Sequence, residues 1–358
     1  MIYVSLVVAF IAAILLTPLV KRLAFRLGAV DAPNYRKVHA RIMPRLGGLA
    51  IYFAFIIGFF FLKFMTGFKT PEYAYAILIA ATIIVITGII DDMREISAKA
   101  KLLGQIVAAC IVVFGGGIQM SSINLPFGDG ILDFGWLSIP LTIIWIVGVT
   151  NAVNLIDGLD GLAAGVSTIA LATLAVMAML MQNGIVIAMA AILAAATIGF
   201  LVFNFHPAKI FMGDTGALFL GFMIAVLALL GFKNVTFISF IIPIIILGVP
   251  ISDTFFAIVR RLRQKKKWSD PDKSHLHHRL LDLGFSHRQT VLLIYAIAAV
   301  FGVVAIVFSM AKVGGAILLI AVLLVAIELL VEMIGLAGQN YKPLLNFFRG
   351  NKEEVKGE

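Results

Sequence analysis

The sequence is short of charged residues. Only 13% of its 358 residues are Asp, Glu, Lys or Arg, against about 25% in a typical soluble domain. In their place stand 61% hydrophobic residues and a mean hydropathy of +1.07. A soluble core of this chain length could not absorb so much apolar sequence. The composition therefore excludes an ordinary soluble protein and predicts one that is embedded in a membrane.

Cysteine is also scarce. The single Cys110 lies in an apolar stretch and excludes a disulfide within the chain, and a small packed apolar residue is its simplest interpretation. A cleavable secretory signal is not needed, because the apolar run at residues 2–20 is long enough to span a bilayer and no small-residue cleavage site follows it. We expect this run to be retained as the first helix.

Hydrophobic runs recur along the whole chain. At about 20 residues for each crossing they predict an all-α polytopic transmembrane bundle of about 11 spans, or about 10 if the shortest runs fail to cross. We expect one transmembrane domain at residues 1–337 and a charged cytoplasmic tail at 338–358. The predicted spans are 3–20, 46–66, 73–90, 99–117, 136–155, 160–181, 185–203, 214–231, 236–259, 290–310 and 314–337.

Positive charge is unequally shared between alternate loops. With the N-terminus outside, all but four of the 28 Lys and Arg fall on the inside. The four exceptions are Lys63, Lys69, Lys233 and Lys312. Cytoplasmic loops carry the excess of Lys and Arg, so this bias predicts an outside N-terminus and a cytoplasmic C-terminus. The net charge of +9 is then explained by topology and anionic lipid headgroups, without nucleic acid as a partner.

Acids and histidines follow the same asymmetry, which hydropathy alone does not require. All 6 histidines lie on the predicted inside, together with the acids of the polar motifs. These residues are Asp91, Asp92, Asp157, Asp160, Asp214, Asp270, Asp272, His39, His206, His275, His277, His278 and His287. Their arrangement predicts a cytoplasmic site.

The first polar motif is the pair Asp91 and Asp92, which ends the third predicted span. Two such carboxylates could bind Mg²⁺ together with substrate phosphates, or could belong to a solvated loop. Ser97 is the predicted N-cap of the next helix. Lys99 and Lys101 follow it and could contact lipid headgroups or hold a lipid phosphate.

The second motif is a polar strip within residues 151–161. Asn151, Asn154, Asp157 and Asp160 recur at three-residue spacing, and two glycines interrupt the strip. In a continuous helix each step would turn by about 60°, so the groups would wind around one side. They could bind a nucleotide or a cation. A polar turn between helices is the alternative, and it explains the glycines but not two asparagines inside an apolar run.

The third motif runs from Asn204 to Gly216 and connects two spans. Gly213 and Gly216 would permit close approach of the backbone to a ligand. Asp214 could ligate a metal or could cap the next helix. Its recurrence with the other acidic motifs on one side of the membrane favours the metal.

The fourth motif lies at residues 260–288, in one of the two longest loops. The basic run at residues 260–267 is explained by the inside topology and by anionic lipids. His275, His277 and His278 with Arg279 could then hold phosphate through charge-assisted bonds. They could alternatively bind zinc, although no cysteine is near and the spacing matches no standard zinc motif.

Ser286 and Gln289 resemble a capping box that opens the tenth span. Three acids inside predicted spans, Asp253, Glu328 and Glu332, receive no role from the sequence, although intramembrane acids are functional candidates by default.

Taken in order, these motifs resemble the polyprenyl-phosphate N-acetylhexosamine-1-phosphate transferases. The resemblance extends from about residue 17 to the tenth span. The segments that carry it are residues 44–48, 91–92, 97–105, 151–161, 204–216 and 275–278. The pattern His275-Leu-His277-His278 resembles the WecA/TagO branch, because MraY-type enzymes show three consecutive histidines.

The resemblance implies transfer of N-acetylglucosamine 1-phosphate from UDP-GlcNAc to undecaprenyl phosphate at the cytoplasmic face of a bacterial cytoplasmic membrane. The products would be undecaprenyl-diphospho-N-acetylglucosamine, which begins wall teichoic acid, O-antigen or related glycans, and UMP. Mg²⁺ would be the cofactor, with Mn²⁺ as a substitute, and dimers occur in the family.

The resemblance also implies roles for single residues. Asp214 would bind Mg²⁺, and Asp91 and Asp92 would be the essential acidic pair, with Asp91 as the candidate base. The remaining matched residues would bind substrate. They are Asn154 and Asp157 in the nucleoside pocket, within the strip that also holds Asn151 and Asp160, then Asn204, His275, His277 and His278 near the diphosphate, and Lys99 and Lys101 near the lipid phosphate.

One departure concerns the first inside loop, where MraY-type enzymes carry a lysine seven residues before the Gly-Gly pair and this chain has Ala40. Two other functions stay open at this stage. One is an MraY-type enzyme that uses UDP-MurNAc-pentapeptide. The other is a transporter, whose site would usually lie near the membrane midplane.

Overall fold

The structure is a computed structural model that describes residues 2–31, 42–124, 130–231, 237–263, 275–336 and 341–347. Parts of the first inside loop, including Ala40, and the acids Asp270 and Asp272 lie outside the described residues, as does most of the predicted tail. Helices dominate. They are α1 (Ile2–Leu27), α2 (Gly47–Thr66), α3 (Glu72–Arg94), α4 (Ala98–Cys110), α5 (Ser138–Leu155), α6 (Leu162–Leu180), α7 (Gly184–Asn204), α8 (Gly213–Gly231), α9 (Phe237–Ile246), α10 (Gly248–Arg263), α11 (Leu276–Asp282), α12 (His287–Met310) and α13 (Val313–Ile334).

Short elements complete the fold. A π-helical turn at Ile111–Gly115 continues α4, and a 3-10 turn at Gly135–Leu137 precedes α5. Two antiparallel pairs join β1 (Val30–Asp31) to β2 (Met43–Pro44) and β3 (Ser122–Asn124) to β4 (Ile131–Asp133).

The helices confirm the prediction of an all-α polytopic bundle. Among the described residues, 10 helices are long and apolar enough to cross a membrane, and each coincides with a predicted span. The remaining predicted span, 236–259, is present as the two shorter helices α9 and α10, which are separated at Leu247. Pro250 explains this break, because proline lacks the N–H that would continue the helix and its ring crowds the carbonyl four residues earlier.

Helix α8 forms the centre of the bundle. It packs against α2, α3, α5, α6 and α7, and almost all of its residues are buried. Small residues make this packing possible. A Cβ on Gly48 of α2 would overlap the backbone of Gly216 of α8. The first turn of α8, which carries Asp214, is therefore held between neighbouring helices.

The predicted polar motifs share one end of the bundle. The predicted polar motifs lie where α3, α5 and α7 end and where α4, α6 and α8 begin. At the other end, the Asn183 amide before α7 donates to the Leu230 carbonyl near the end of α8, at 3.0 Å. Alternating helices thus gather the motifs at one end.

Helix α13 lies at the periphery. It contacts α12 and α11, and many of its apolar side chains, such as Leu318 and Leu324, remain exposed. This is the pattern of a helix that faces lipid. At its end, the Glu332 carboxylate accepts the backbone N–H groups of Leu344 and Leu345, each at 2.7 Å. Glu332, which the sequence left without a role, caps the short helix at residues 343–347.

Candidate active site

Asp92 holds the N-terminus of α8. Its Oδ1 accepts the N–H of Asp214 at 2.9 Å, and its Oδ2 accepts the N–H of Thr215 at 2.9 Å and the Thr215 hydroxyl at 2.6 Å. The first N–H groups of a helix have no partner within the helix, and here a buried carboxylate from α3 supplies one. The adjacent residues Asp91 and Asp92 therefore have different roles, since Asp92 positions α8 and does not share the contacts of Asp91.

Lys101 joins the other member of the pair to Asp214. Its Nζ lies 2.8 Å from Asp91 Oδ2 and also donates to Asp214 Oδ2. The Asn154 amide donates to Asp214 Oδ1 at 2.9 Å. Four predicted site residues from α3, α4, α5 and α8 thus meet at one point. The alternative role of Asp214 as a helix cap is wrong, because its carboxylate turns toward Lys101 and Asn154.

Lys99 does not join this group. It is exposed and forms no hydrogen bond or ion pair with the residues that the structure describes. Residues two positions apart in a helix are separated by about 200° around its axis, so Lys99 and Lys101 lie on opposite sides of α4. Ser97 caps this helix as predicted, since its side chain accepts the Ala100 N–H at 3.3 Å.

Asn151 is engaged within the protein. Its amide donates to Gln105 Oε1 at 2.6 Å and to the Val147 carbonyl at 2.8 Å, and Gln105 donates back to Asn151 at 3.3 Å. The pair links α4 to α5 one turn away from Lys101 and Asn154. Gln105 was not among the predicted site residues. Its sequence signal is a polar side chain in an apolar run, four residues after Lys101.

Asp157 lies in the turn between α5 and α6. Removal from water raises the pKa of Asp157 to about 8, the negative charges of Asp214 and Asp92 add to this rise, and Arg45 opposes it. Arg45 itself lies 3.5 Å from Glu95 and 3.9 Å from Asp31. The raised pKa therefore reports mainly the removal of this carboxyl from water, to which the neighbouring acids add.

The donor set suits a hard divalent cation. Asp91, Asp157 and Asp214 offer carboxylate oxygens and Asn154 an amide oxygen, which are the ligand types that Mg²⁺ prefers and that Mn²⁺ also accepts. A divalent cation would also offset the negative charges of Asp214 and Asp92 near Asp157. In ligand type the residues present therefore fit Mg²⁺, with Asp214, whose oxygens now accept from Lys101 and Asn154, as the central candidate.

The three predicted histidines have different surroundings. His277 packs over the turn at residues 157–158, where a Cβ on Gly158 would overlap its imidazole. Burial, followed by the neighbouring His278, lowers the pKa of His277 to about 3. The His278 ring lies 4.2 Å from the His277 ring between centroids. His275 points elsewhere, with its Nδ1 at 2.8 Å from Asp253 Oδ2.

A second cluster braces the connection between α7 and α8. Asp160 Oδ2 lies 2.9 Å from His206 Nδ1 and accepts the Ala208 N–H at 3.0 Å. The His206 ring stacks on the His287 ring with centroids 4.1 Å apart and 22° between the planes. Sequence reasoning had noted both histidines on the inside without giving them a role.

This cluster is not arranged as a metal site. The ligand atoms of Asp160, His206 and His287 lie within 4.8 Å of one another. Imidazole lone pairs lie in the ring plane, however, and two nearly parallel stacked rings cannot both direct them at one ion. Zinc at residues 275–279 finds no support either, since no three potential ligand atoms of the described residues come together there.

Asn204 closes the same connection. Its amide donates to the Ile210 carbonyl at 3.0 Å, and the side chain is almost completely buried. This contact shapes the segment leading to Asp214, and the expected position of Asn204 near a substrate diphosphate stays a prediction. The capping box of Ser286 and Gln289 is present at the start of α12, as predicted.

The glycines of two motifs lie close to other parts of the protein. The Gly47 and Gly48 N–H groups donate to the carbonyls of Phe211 and Met212, at 3.0 and 2.8 Å. A Cβ on Gly213, whose φ is +68°, would overlap the Arg45 carbonyl. A Cβ on Gly216 would overlap the Met212 side chain and Gly48. The two glycines thus make room for other parts of the protein, and their predicted contact with a ligand stays a prediction.

Known proteins resemble the chain over most of its length. The sequence profile described as glycosyl transferase family 4 matches residues 74–232. A Bacillus subtilis (strain 168) protein, named as a probable undecaprenyl-phosphate N-acetylglucosaminyl 1-phosphate transferase, is 47% identical over 97% of this chain and 96% of its own.

More distant relatives include both branches of the family. The decaprenyl-phosphate N-acetylglucosaminephosphotransferase of Mycobacterium tuberculosis (strain H37Rv) is 35% identical over 91% of this chain and 88% of its own. The phospho-N-acetylmuramoyl-pentapeptide-transferase of Halalkalibacterium halodurans is 32% identical over 84% of this chain and 95% of its own. The convergence of the motifs on α8 and these full-length similarities agree, and the chain belongs to glycosyl transferase family 4.

Proposed function

We propose that the protein transfers N-acetylglucosamine 1-phosphate from UDP-GlcNAc to undecaprenyl phosphate, and releases UMP and undecaprenyl-diphospho-N-acetylglucosamine. The product begins a cell-envelope glycan such as wall teichoic acid or O-antigen. The observation that carries the proposal is the meeting of Asp91, Lys101, Asn154 and Asp214 at the polar end of the bundle. The 47% identical relative named for this type of transfer supports the choice of substrates.

We propose that the polar end faces the cytoplasm, with the N-terminus outside. The bias of Lys and Arg toward this side supports the orientation. The placement suits the chemistry, because UDP-GlcNAc is soluble and the phosphate of the lipid acceptor lies at the membrane surface. The acceptor chain can then stay in the bilayer while both reacting groups reach Asp214 and its neighbours. Assembly as a homodimer is part of the proposal.

Transfer of a phosphoryl group needs positioning and neutralisation of charge more than covalent help. Lys101 can pair with the acceptor phosphate while Asp91 and Asp214 keep its ammonium in place. Asp92 fixes the helix that carries Asp214, and His277 and His278 close the site over the turn at residues 157–158. Bound Mg²⁺ would neutralise diphosphate oxygens, held by Asp214 with Asp157 and Asn154 nearby.

Asp91 is the proposed base. The second pKa of a phosphate monoester is near 6, about one unit below neutral pH, so much of the acceptor is already dianionic. A base then assists the reaction without being obligatory. We infer direct attack of the lipid phosphate on the sugar-linked phosphorus of UDP-GlcNAc, in which the new P–O bond forms as the bond to UMP breaks. A phosphorylated enzyme trapped with donor alone would contradict this single step.

An assay of UMP release tests the proposal. The full chain in detergent or nanodiscs is incubated with Mg²⁺ and undecaprenyl phosphate, and with either UDP-GlcNAc or UDP-MurNAc-pentapeptide. We expect UMP release with UDP-GlcNAc as donor and none with UDP-MurNAc-pentapeptide. Release should also stop when EDTA removes the metal or when Asp214 is replaced by Asn. Release only with the pentapeptide donor would instead assign the MraY-type reaction, which the relative at 32% identity keeps as the second candidate.

A further inference from the structure

Asp253 is a buried carboxylate that the proposed chemistry does not use. It lies on α10 and is 2% exposed. Both of its oxygens are engaged, since Oδ2 lies 2.8 Å from His275 Nδ1 and Oδ1 accepts the Leu276 N–H at 2.8 Å. A buried acid is costly in an apolar bundle unless it is paired. This pairing connects α10 to the first residue of α11.

The connection determines where α11 begins. Leu276 is the first residue of this short helix, and His275 precedes it with 6% exposure. The segment before His275, residues 264–274, lies outside the described residues. The two bonds from Asp253 thus fasten the start of α11 to the bundle.

The same start sets the position of His277. This residue lies one position into α11 and packs over Gly158, beside Asp157. The His275 and His277 rings are parallel within 2° and their centroids are 6.0 Å apart. A shift of α11 would therefore carry His277 away from the turn at residues 157–158. The bonds at Asp253 and the contact at Gly158 are two ends of one short rigid piece.

We propose that Asp253 and His275 are positioning residues, which hold α11 so that His277 closes the nucleotide-sugar site. His275 thereby leaves the set of substrate-binding histidines and becomes the link between Asp253 and His277. This inference rests on the proposed function for the meaning of the site. The placement of His277 itself can be measured without substrate.

Reactivity of His277 provides that measurement. The full chain in detergent is treated with diethyl pyrocarbonate, and the modified histidines are identified by mass spectrometry. His277 is 3% exposed, so we expect slow modification in the native protein and a rate at least several-fold higher in Asp253→Ala. Unchanged protection of His277 in Asp253→Ala would overturn the proposal, whether or not the protein releases UMP.

Kinetics separate positioning from simple loss of stability. Partners that orient metal-binding histidines typically contribute on the order of 10–100-fold to activity, and we expect an effect of similar size for a histidine that closes a substrate site. We expect Asp253→Ala and His275→Ala each to lower kcat/KM for UDP-GlcNAc by such a factor, and the double variant to be no worse than either. His275→Asn keeps a donor near the Nδ1 position and should recover part of the loss. Additive losses, or no recovery, would contradict action through one shared bond.

Glu332 provides the matched control. It is also a fully buried carboxylate that accepts two backbone N–H groups, but it caps residues 343–347 at the end of α13. Glu332→Gln should lower the melting temperature while leaving kcat/KM and His277 protection unchanged. If Glu332→Gln exposed His277 as much as Asp253→Ala did, general loosening would explain both and the proposal would fail. If the native protein released no UMP, the proposed function would fail. Protection of His277 would still test whether Asp253 and His275 position α11.

Discussion

The Asp92 carboxylate accepts the backbone N–H groups of Asp214 and Thr215, so one acid of an adjacent pair holds the helix on which the central metal candidate lies. Asp91, its neighbour in sequence, contacts Lys101 instead. Adjacent helical residues are about 100° apart around the axis, and this rotation separates the two roles.

The separation predicts different consequences for two similar substitutions. Asp92→Asn replaces one of the two carboxylate oxygens that accept the Asp214 N–H, the Thr215 N–H and the Thr215 hydroxyl. It should destabilise the protein by about 1–3 kcal/mol, because a buried donor loses its partner. Asp91→Asn should leave stability almost unchanged and lower turnover by about 10²-fold, at the low end for a general base. Thermal unfolding in detergent and UMP release, measured on both variants, check this. Equal losses of stability in the two would contradict the division of roles.

Lys101→Met should raise the KM for undecaprenyl phosphate. The ammonium lies between Asp91 and Asp214, and a charge-assisted bond to a phosphate contributes about 1.5–3 kcal/mol, or roughly 10–100-fold in binding. Lys99→Met is the matched control. Its side chain is exposed on the opposite side of α4, so its kinetics should stay within about two-fold of the native protein, as expected for a surface charge. A larger effect at Lys99 than at Lys101 would refute the placement of the lipid phosphate.

Gly48→Ala should destabilise the protein and lower its activity together. The added Cβ would overlap the Gly216 backbone, so α2 and α8 must move apart, at a cost of about 1–3 kcal/mol. Gly148→Ala serves as the comparison, because a Cβ there meets nothing within 4 Å. That variant should gain up to about 1 kcal/mol from the helix propensity of alanine. Melting temperatures in one detergent measure both effects.

His277 predicts how stability depends on pH. Its pKa falls to about 3 in the folded protein from an ordinary value of 6.5. Between these values the unfolded chain binds a proton that the folded chain does not, so stability falls as pH drops below 6.5, by at most about 1.4 kcal/mol for each pH unit. His277→Gln removes this contribution. We expect the difference in melting temperature between pH 7.5 and pH 5 to shrink in the variant, and an unchanged difference would argue against a buried neutral imidazole.

The helices were predictable because each needs only a local apolar run. Ten predicted spans recur as long helices, and the convergence of the polar motifs follows from alternation of the chain across the membrane. The break at Leu247 was missed, although Pro250 stands in the sequence, because average hydropathy over a window does not register a missing N–H.

Partners at long range could not be predicted. The sequence shows an acidic pair, but the rotation of α3 decides that Asp92 meets α8 while Asp91 meets Lys101. It shows glycines at residues 47–48 and 213–216, but the packing of α2 against α8 decides that they contact backbone. The stacking of His206 on His287 joins residues that are 81 positions apart in the numbering, and no local pattern indicates such a pair.

The complete enclosure of α8 has a consequence for how the protein meets its bilayer. Hydrophobic mismatch between a membrane and a helix is accommodated by tilting, kinking or thinning at surfaces that touch lipid. Helix α13 presents such a surface, whereas α8 is surrounded by α2, α3, α5, α6 and α7. A thicker or thinner membrane therefore acts on the outer helices first, and the seat of Asp214 is insulated from changes in lipid composition.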